Sequence, residues 1–215
     1  GTGYIRESIY ECFLENLEHY PILLPIHSTE DPENLAHLRL HNGTIWRWNR
    51  PLIGFDQDNT PHVRIEHRVM AAGPTLVDQI ANTALYFGLV SWLANYQTQA
   101  CHEIPFTVAK NNFYAAARTG LGTQLQWLNN KRISAKNLIL KQLLPAAQQG
   151  LNHLEVDRDL IDYYLSIIEA RAHSGRNGTT WQRDFVNKYG HDMTALTKTY
   201  MEHQQSECPV HEWSL

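Results

Sequence analysis

With 215 residues, 43% of them hydrophobic and 19% charged, the chain has the composition of a globular protein rather than a disordered or fibrous one. Eighteen Lys and Arg against 22 Asp and Glu give a formal net charge of -4, which excludes a general nucleic-acid binder but leaves room for a small phosphate site built from a few arginines. Cys12, Cys101 and Cys208 are far apart and form no CxxC pair, so a disulfide framework or zinc ribbon is excluded and a reducing, cytoplasmic compartment is expected.

The longest nearly apolar run, Ala84 to Ala94, is too short for the roughly 20 residues of a spanning helix, and no signal peptide is visible, so no membrane role is expected. The sequence opens on Gly-Thr-Gly-Tyr without an initiator Met, as an excised piece of a longer enzyme or a natural short protein would. Tyr4 to Tyr20 is predicted helical, with Ile5, Ile9, Cys12, Phe13 and Leu17 at helical spacing and Pro21 as the stop. Asn42-Gly43 reads as a turn, and Thr44 to Asn49, rich in β-branched and aromatic residues, reads as a first strand. His62 to Val69 alternates as a second strand. The polar connection from Gly54 to Pro61 makes an antiparallel pair the simplest arrangement.

Beyond Gly73-Pro74 the chain is predicted to be helical to its end. Thr75 to about Gln97 is the longest helix; its narrow polar stripe of Thr75, Asp78, Gln79, Asn82 and Tyr86 predicts burial on most other sides, against the sheet. Further helices are expected over Asn111–Thr119, Ala135–Gln149 with Ser134 as cap, Asp159–Ala172, Thr180–Lys188, and Met193 to about Gln205 with Asp192 as cap. Pro145 is expected to kink or end the second of these. The fold class is therefore α+β: a small antiparallel sheet, its strands within about 43–70, packed against several helices, with all 215 residues in a single portion.

Strand alternation sends Val63, Ile65, His67 and Val69 to one face and Arg64, Glu66 and Arg68 to the other. Such a charged row is either a self-compensating outer face or a nucleotide and metal site. In the second case the carboxylate supplies a hard oxygen for Mg²⁺ and the arginines supply phosphate-gripping forks. Arg50, at a strand exit before Pro51, is either a surface charge or a substrate-gripping cation. Trp46 and Trp48 on its face read as packing. Among the 12 histidines, His37 and His41 are spaced i,i+4 in an unconvincing helix, and His62 and His67 lie on opposite strand faces. Cys101-His102-Glu103 has no second ligand pair. No P-loop, Gly-x-Gly-x-x-Gly or Gly-x-Ser-x-Gly occurs. Gly178, in a glycine-punctuated loop running into a helix, could offer backbone N–H groups to an anion or simply connect.

Four co-linear segments share one pattern: Thr44-Ile45-Trp46-Arg47-Trp48-Asn49-Arg50-Pro51; Val63-Arg64-Ile65-Glu66-His67-Arg68 followed by Gly73-Pro74-Thr75; Asn111 through Leu121 with Ser134-Ala135 beyond it; and Gly178-Thr179-Thr180-Trp181-Gln182. In that order the chain resembles the C-terminal half of the ATP-dependent carboxylate–amine ligases of the glutamate–cysteine ligase type. Trp48 and Asn49 stand where that family often carries an acidic residue. The resemblance implies part of a glutamine synthetase-like fold, with further metal-binding carboxylates on strands preceding this region. It implies ATP and Mg²⁺ as cofactors, with glutamate and an amine such as cysteine as substrates joined through an acyl phosphate, as in glutathione biosynthesis. Glu66 would be a Mg²⁺ ligand and Arg68 a contact to the transferred phosphoryl group. Arg50 and Arg64 would bind substrate carboxylates or the triphosphate, and Asn111 and Arg118 would be structural or peripheral. The chain would supply only part of the active site and be inactive alone. The alternatives are a non-catalytic ligase-like domain acting in binding or assembly, and a helical interaction module whose exposed sheet edge and apolar surface favour a homo-oligomer.

Overall fold

A computed structural model describes residues 2–96 and 103–215, and the chain divides into two compact units, Gly1–Ala71 and Ala72–Leu215. Both an antiparallel sheet and many helices are present, as an α+β class requires.

The first unit begins with α1 (Tyr10–His19), shorter than the predicted Tyr4–Tyr20 because its buried contacts begin at Phe13 and Asn16. Helix α2 (Ala36–Thr44) follows a turn capped by Asp31, whose side chain accepts from Glu33 N at 2.9 Å. The expected Asn42-Gly43 turn is instead the end of α2, and the strand expected over Thr44–Asn49 moves downstream. The cause is Asn42, whose buried amide donates to Pro51 O at 2.7 Å and accepts from Asn16 Nδ2 at 3.1 Å. An orphaned buried amide is costly, and these bonds fix Asn42 inside rather than on a turn. Arg47 closes the same network, donating to Asn16 Oδ1 at 2.7 Å and pairing with Glu15 at 2.6 Å.

Strand β1 (Asn49–Phe55) pairs antiparallel with β2 (Pro61–His67), in a register that sets Arg50 opposite Glu66 and Pro51 opposite Ile65. Arg68 N donates to Trp48 O, which continues the ladder one step past β2. Pro51 thus falls in a non-hydrogen-bonded pair, where its missing N–H breaks no ladder bond. The hairpin turns on Asn59 at φ 63°, with Asp58 accepting from Thr60 N.

The second unit is built on α3 (Leu76–Tyr96), followed by α4 (Phe106–Thr119), which ends on Gly120 at φ 54°. A short hairpin of β3 (Gln124–Gln126) and β4 (Arg132–Ser134) follows, unforeseen because three-residue strands carry too few residues for a period. Ser134 caps the next helix, accepting from Asn137 N. That helix runs as α5 (Ala135–Leu138), a π turn over Ile139–Leu143, and α6 (Leu144–His153). Pro145 therefore does not end it; the wider turn just before accommodates the missing N–H and the ring. Helices α7 (Arg158–Ser174), α8 (Gly178–Tyr189) and α9 (Met193–Gln205) complete the set, capped by Asp157, Asn177 and Asp192.

Two apolar clusters organise this unit. In the first, Ala81 of α3 packs with Leu144, Ala147 and Leu151 of α6 and Ile161, Leu165 and Ile168 of α7. The axes of α3 and α6 approach closely, because a Cβ on Gly88 would strike the Ala147 carbonyl and one on Gly150 would strike that of Gly88. In the second, Trp181 and Phe185 of α8 surround Val210 and Trp213. The expected burial of α3 on most sides is not what forms. Thr75 and Asp78 of its polar stripe are wholly buried, while Leu76, Ile80, Phe87, Val90 and Leu93 remain exposed.

Candidate functional site

The pairing of Arg50 opposite Glu66 puts both side chains on one face of the hairpin, because directly opposed residues in an antiparallel pair share a face. Arg50 donates from Nε to Glu66 Oε2 at 2.9 Å and its Nη2 lies 2.8 Å from the same oxygen. Its Nη1 donates to Gly43 O at 2.8 Å, so the guanidinium is held on two sides. Arg68 Nε approaches the same carboxylate oxygen at 3.9 Å, and its guanidinium stacks over Trp46 with 5.5 Å to the ring centroid. Two guanidinium groups against one carboxylate leave this cluster with an excess positive charge, on an accessible face where Arg68 and Glu66 are each more than one-third exposed. Such an arrangement suits an anion.

Arg64 lies on the same face but turns to His62, with Nη1 3.1 Å from Nε2. His67 projects from the other face, where its Nδ1 is 2.6 Å from Asn49 Oδ1 and burial lowers its pKa. His37 and His41 do lie on a helix, α2, and His37 Nε2 sits 3.0 Å from Ile26 O. Among the described residues no three His, Cys, Asp or Glu side chains gather as a metal site; Cys101 and His102 lie outside those residues. Asn111 and Arg118 are exposed on α4. It is Asn112 that is structural, bonding Gln126 through both its amide atoms at 2.7 and 3.1 Å.

For Mg²⁺ this cluster offers one carboxylate, Glu66, with Oε2 already engaged by arginine and Oε1 left over. Mg²⁺ commonly takes one or two carboxylates and fills its octahedron with phosphate oxygens and water, so Glu66 fits as a single contributor to such a shell.

In the second unit two of the co-linear segments meet. A Cβ on Gly178 would lie 3.0 Å from Pro74 Cγ, so the start of α8 rests on Gly73-Pro74-Thr75. Beneath it Asp78, 0% exposed, accepts from Thr75 Oγ1 and Val210 N, both at 3.0 Å. Arg171 Nε lies 3.7 Å from its other oxygen. Burial pushes the Arg171 pKa down against the pull of Asp78, and burial together with Asp78 pushes Tyr200 up. The sequence pattern puts Asp78 on the narrow polar stripe of α3; the spacing Thr75-x-x-Asp78, a helix-start box, is the sign of its role.

The fold is α+β, with an arginine–carboxylate cluster on one face of the first hairpin. The model of glutamate-cysteine ligase family 2 matches residues 21–207, and the chain belongs to that family. No curated protein and no solved structure matches it.

Proposed function

We propose that this chain is part of an ATP-dependent carboxylate–amine ligase. ATP would phosphorylate a carboxylate, the γ-carboxyl of glutamate in our reading, and an amine such as that of cysteine would displace phosphate from the acyl phosphate. The observation that carries the reading is the Arg50–Glu66–Arg68 cluster, together with membership of the family. Both chemical steps spread negative charge over phosphoryl oxygens, so positioned cations are what the reaction requires. Arg68, the more exposed guanidinium, would contact the transferred phosphoryl group, and Arg50, fixed by Glu66 and Gly43, would orient a substrate carboxylate. Arg64 is a second candidate for the triphosphate. Glu66 Oε1 would contribute one ligand to Mg²⁺, which when bound would neutralise phosphate charge. The few cysteines, with Cys12 and Cys208 free, support a cytoplasmic setting, and no helix among the described residues is long and apolar enough to cross a membrane.

The chain supplies only part of the site in this reading, so alone it should release no ADP with ATP, Mg²⁺, glutamate and cysteine. In a longer enzyme containing it, Arg68→Ala should abolish ligation while the circular dichroism spectrum persists. Undiminished turnover would remove Arg68 from the reaction. One observation favours a second reading, a non-catalytic ligase-like domain: arginines already neutralise Glu66. Binding of a partner without any ATP turnover by the longer protein would decide for it.

A further inference from the structure

The last residues of the sequence, 208–215, lie beyond the family match, yet they supply two of the four buried members of the second apolar cluster. Val210 is 0% and Trp213 1% exposed. The segment is threaded through the cluster by directional bonds. Trp213 Nε1 donates to Cys208 O at 2.7 Å, and Trp181 Nε1 donates to Ser214 O at 2.8 Å. His203 of α9 stacks on the Trp213 ring at 5.0 Å. Helices α8 and α9 and this segment therefore share one core, separate from the Ala81–Ile168 core of α3, α6 and α7.

The seam between those two cores differs in chemistry from either. Val210 N donates to the Asp78 carboxylate, Gln204 Nε2 donates to Pro74 O at 2.8 Å, and Gly178 rests on Pro74. Around these bonds, Asp78 Oδ1 and Arg171 Nε meet only as an ion pair at 3.7 Å, and Arg171 Nη2 and His211 Nδ1 are buried without hydrogen-bond partners. Buried polar atoms that make no hydrogen bond weaken a contact that hides them and are relieved when water reaches them. Each core is apolar and packed, so the seam is where separation is least opposed.

We infer that residues 175–215 open from the first core as one cooperative unit, released at the Asp78–Val210 clasp, which lifts the start of α8 off Pro74 while α3, α6 and α7 stay folded. The inference stands apart from the ligase reading, since it concerns only the mechanics of the fold.

Native-state hydrogen exchange of the full chain, read by mass spectrometry through a denaturant series, tests it. Amides of α8 and α9 should merge into one opening that is more frequent, and exposes less surface, than the opening of α3, α6 and α7. The same protection and the same denaturant slope for all five helices would overturn the inference whatever any variant does. Val210→Pro removes the donated N–H where Pro209, at φ -57° and ψ 143°, already has the backbone that precedes proline. A hydrogen bond to a buried charge is lost, so exchange in α8 and α9 should rise about 10- to 100-fold with α3, α6 and α7 unchanged. Gln204→Ala, which removes the donor to Pro74 O, should raise exchange in the same two helices by a smaller factor. Acceleration spread equally over both cores, or confined to residues 208–215, would refute the cooperative unit.

Discussion

Replacing Gly150 by alanine should separate the two helices on which the first core is built. A methyl group there would run into the Gly88 carbonyl oxygen and approach Gly88 C and Trp92 N at 2.8 Å. All three are backbone atoms, so no rotamer change relieves the clash and α3 must move away from α6. That shift loosens the packing of Ala81, Leu144, Ala147 and Leu151 along the crossing. Overpacking of this kind costs about 1–3 kcal/mol, and the value should lie at the upper end because the obstruction is backbone. At about 2–4 °C per kcal/mol, Tm should fall by about 6–12 °C in a scan followed by circular dichroism at 222 nm. Gly43→Ala is the matched control: it lies on α2 with nothing within 4 Å of the added methyl. There alanine should stabilise by about 0.5 kcal/mol, because only the helix propensity changes. A Gly150→Ala protein that melts with the wild type would show that the helices do not cross as closely as described.

The first unit should be sensitive to acid through Glu15. Burial pushes this carboxyl up, but the hydrogen bond and charge of Arg47 outweigh it and hold the group below its ordinary value of 4.5. A depressed folded-state pKa means the stabilisation is complete above about 4.5 and is lost as pH falls through the lower folded value. Urea midpoints of the first unit measured between pH 7 and 3 should fall in that window, and Glu15→Gln should flatten the fall while lowering the pH 7 midpoint; an unchanged slope would refute the assignment. Exposed Leu76, Ile80, Phe87, Val90 and Leu93 along α3 predict self-association, so light scattering should give a dimer or larger species. A monomer at every concentration would refute that.

Much of the second unit was legible because its helices carry their own punctuation. Ser134 and Asp192 cap where short polar side chains precede an apolar period, and Gly120 ends α4 in a conformation that glycine adopts freely. What could not be read depended on partners distant in sequence. The strand beginning at Asn49 rather than Thr44 follows from Asn42 bonding Pro51 and Asn16, which no local pattern encodes. The burial of Asp78 likewise depends on Val210, 132 positions away.

The charged row on β2 was legible too, but its meaning changes with the register. From alternation alone Arg64, Glu66 and Arg68 form one set. Pairing with β1 redistributes them, so that Glu66 belongs with Arg50 and Arg68 while Arg64 turns to His62. The carboxylate therefore has one oxygen committed to holding guanidinium groups in place and one left for other work. An anion arriving at this face would meet cations already oriented by Glu66, which avoids the cost of ordering long side chains during binding. Glu66→Gln in a longer enzyme separates these two duties. The amide oxygen can still accept from Arg50, so loss of metal-dependent turnover with ATP binding retained would assign Glu66 to Mg²⁺. Equal loss of both would make it only the support on which the arginines rest.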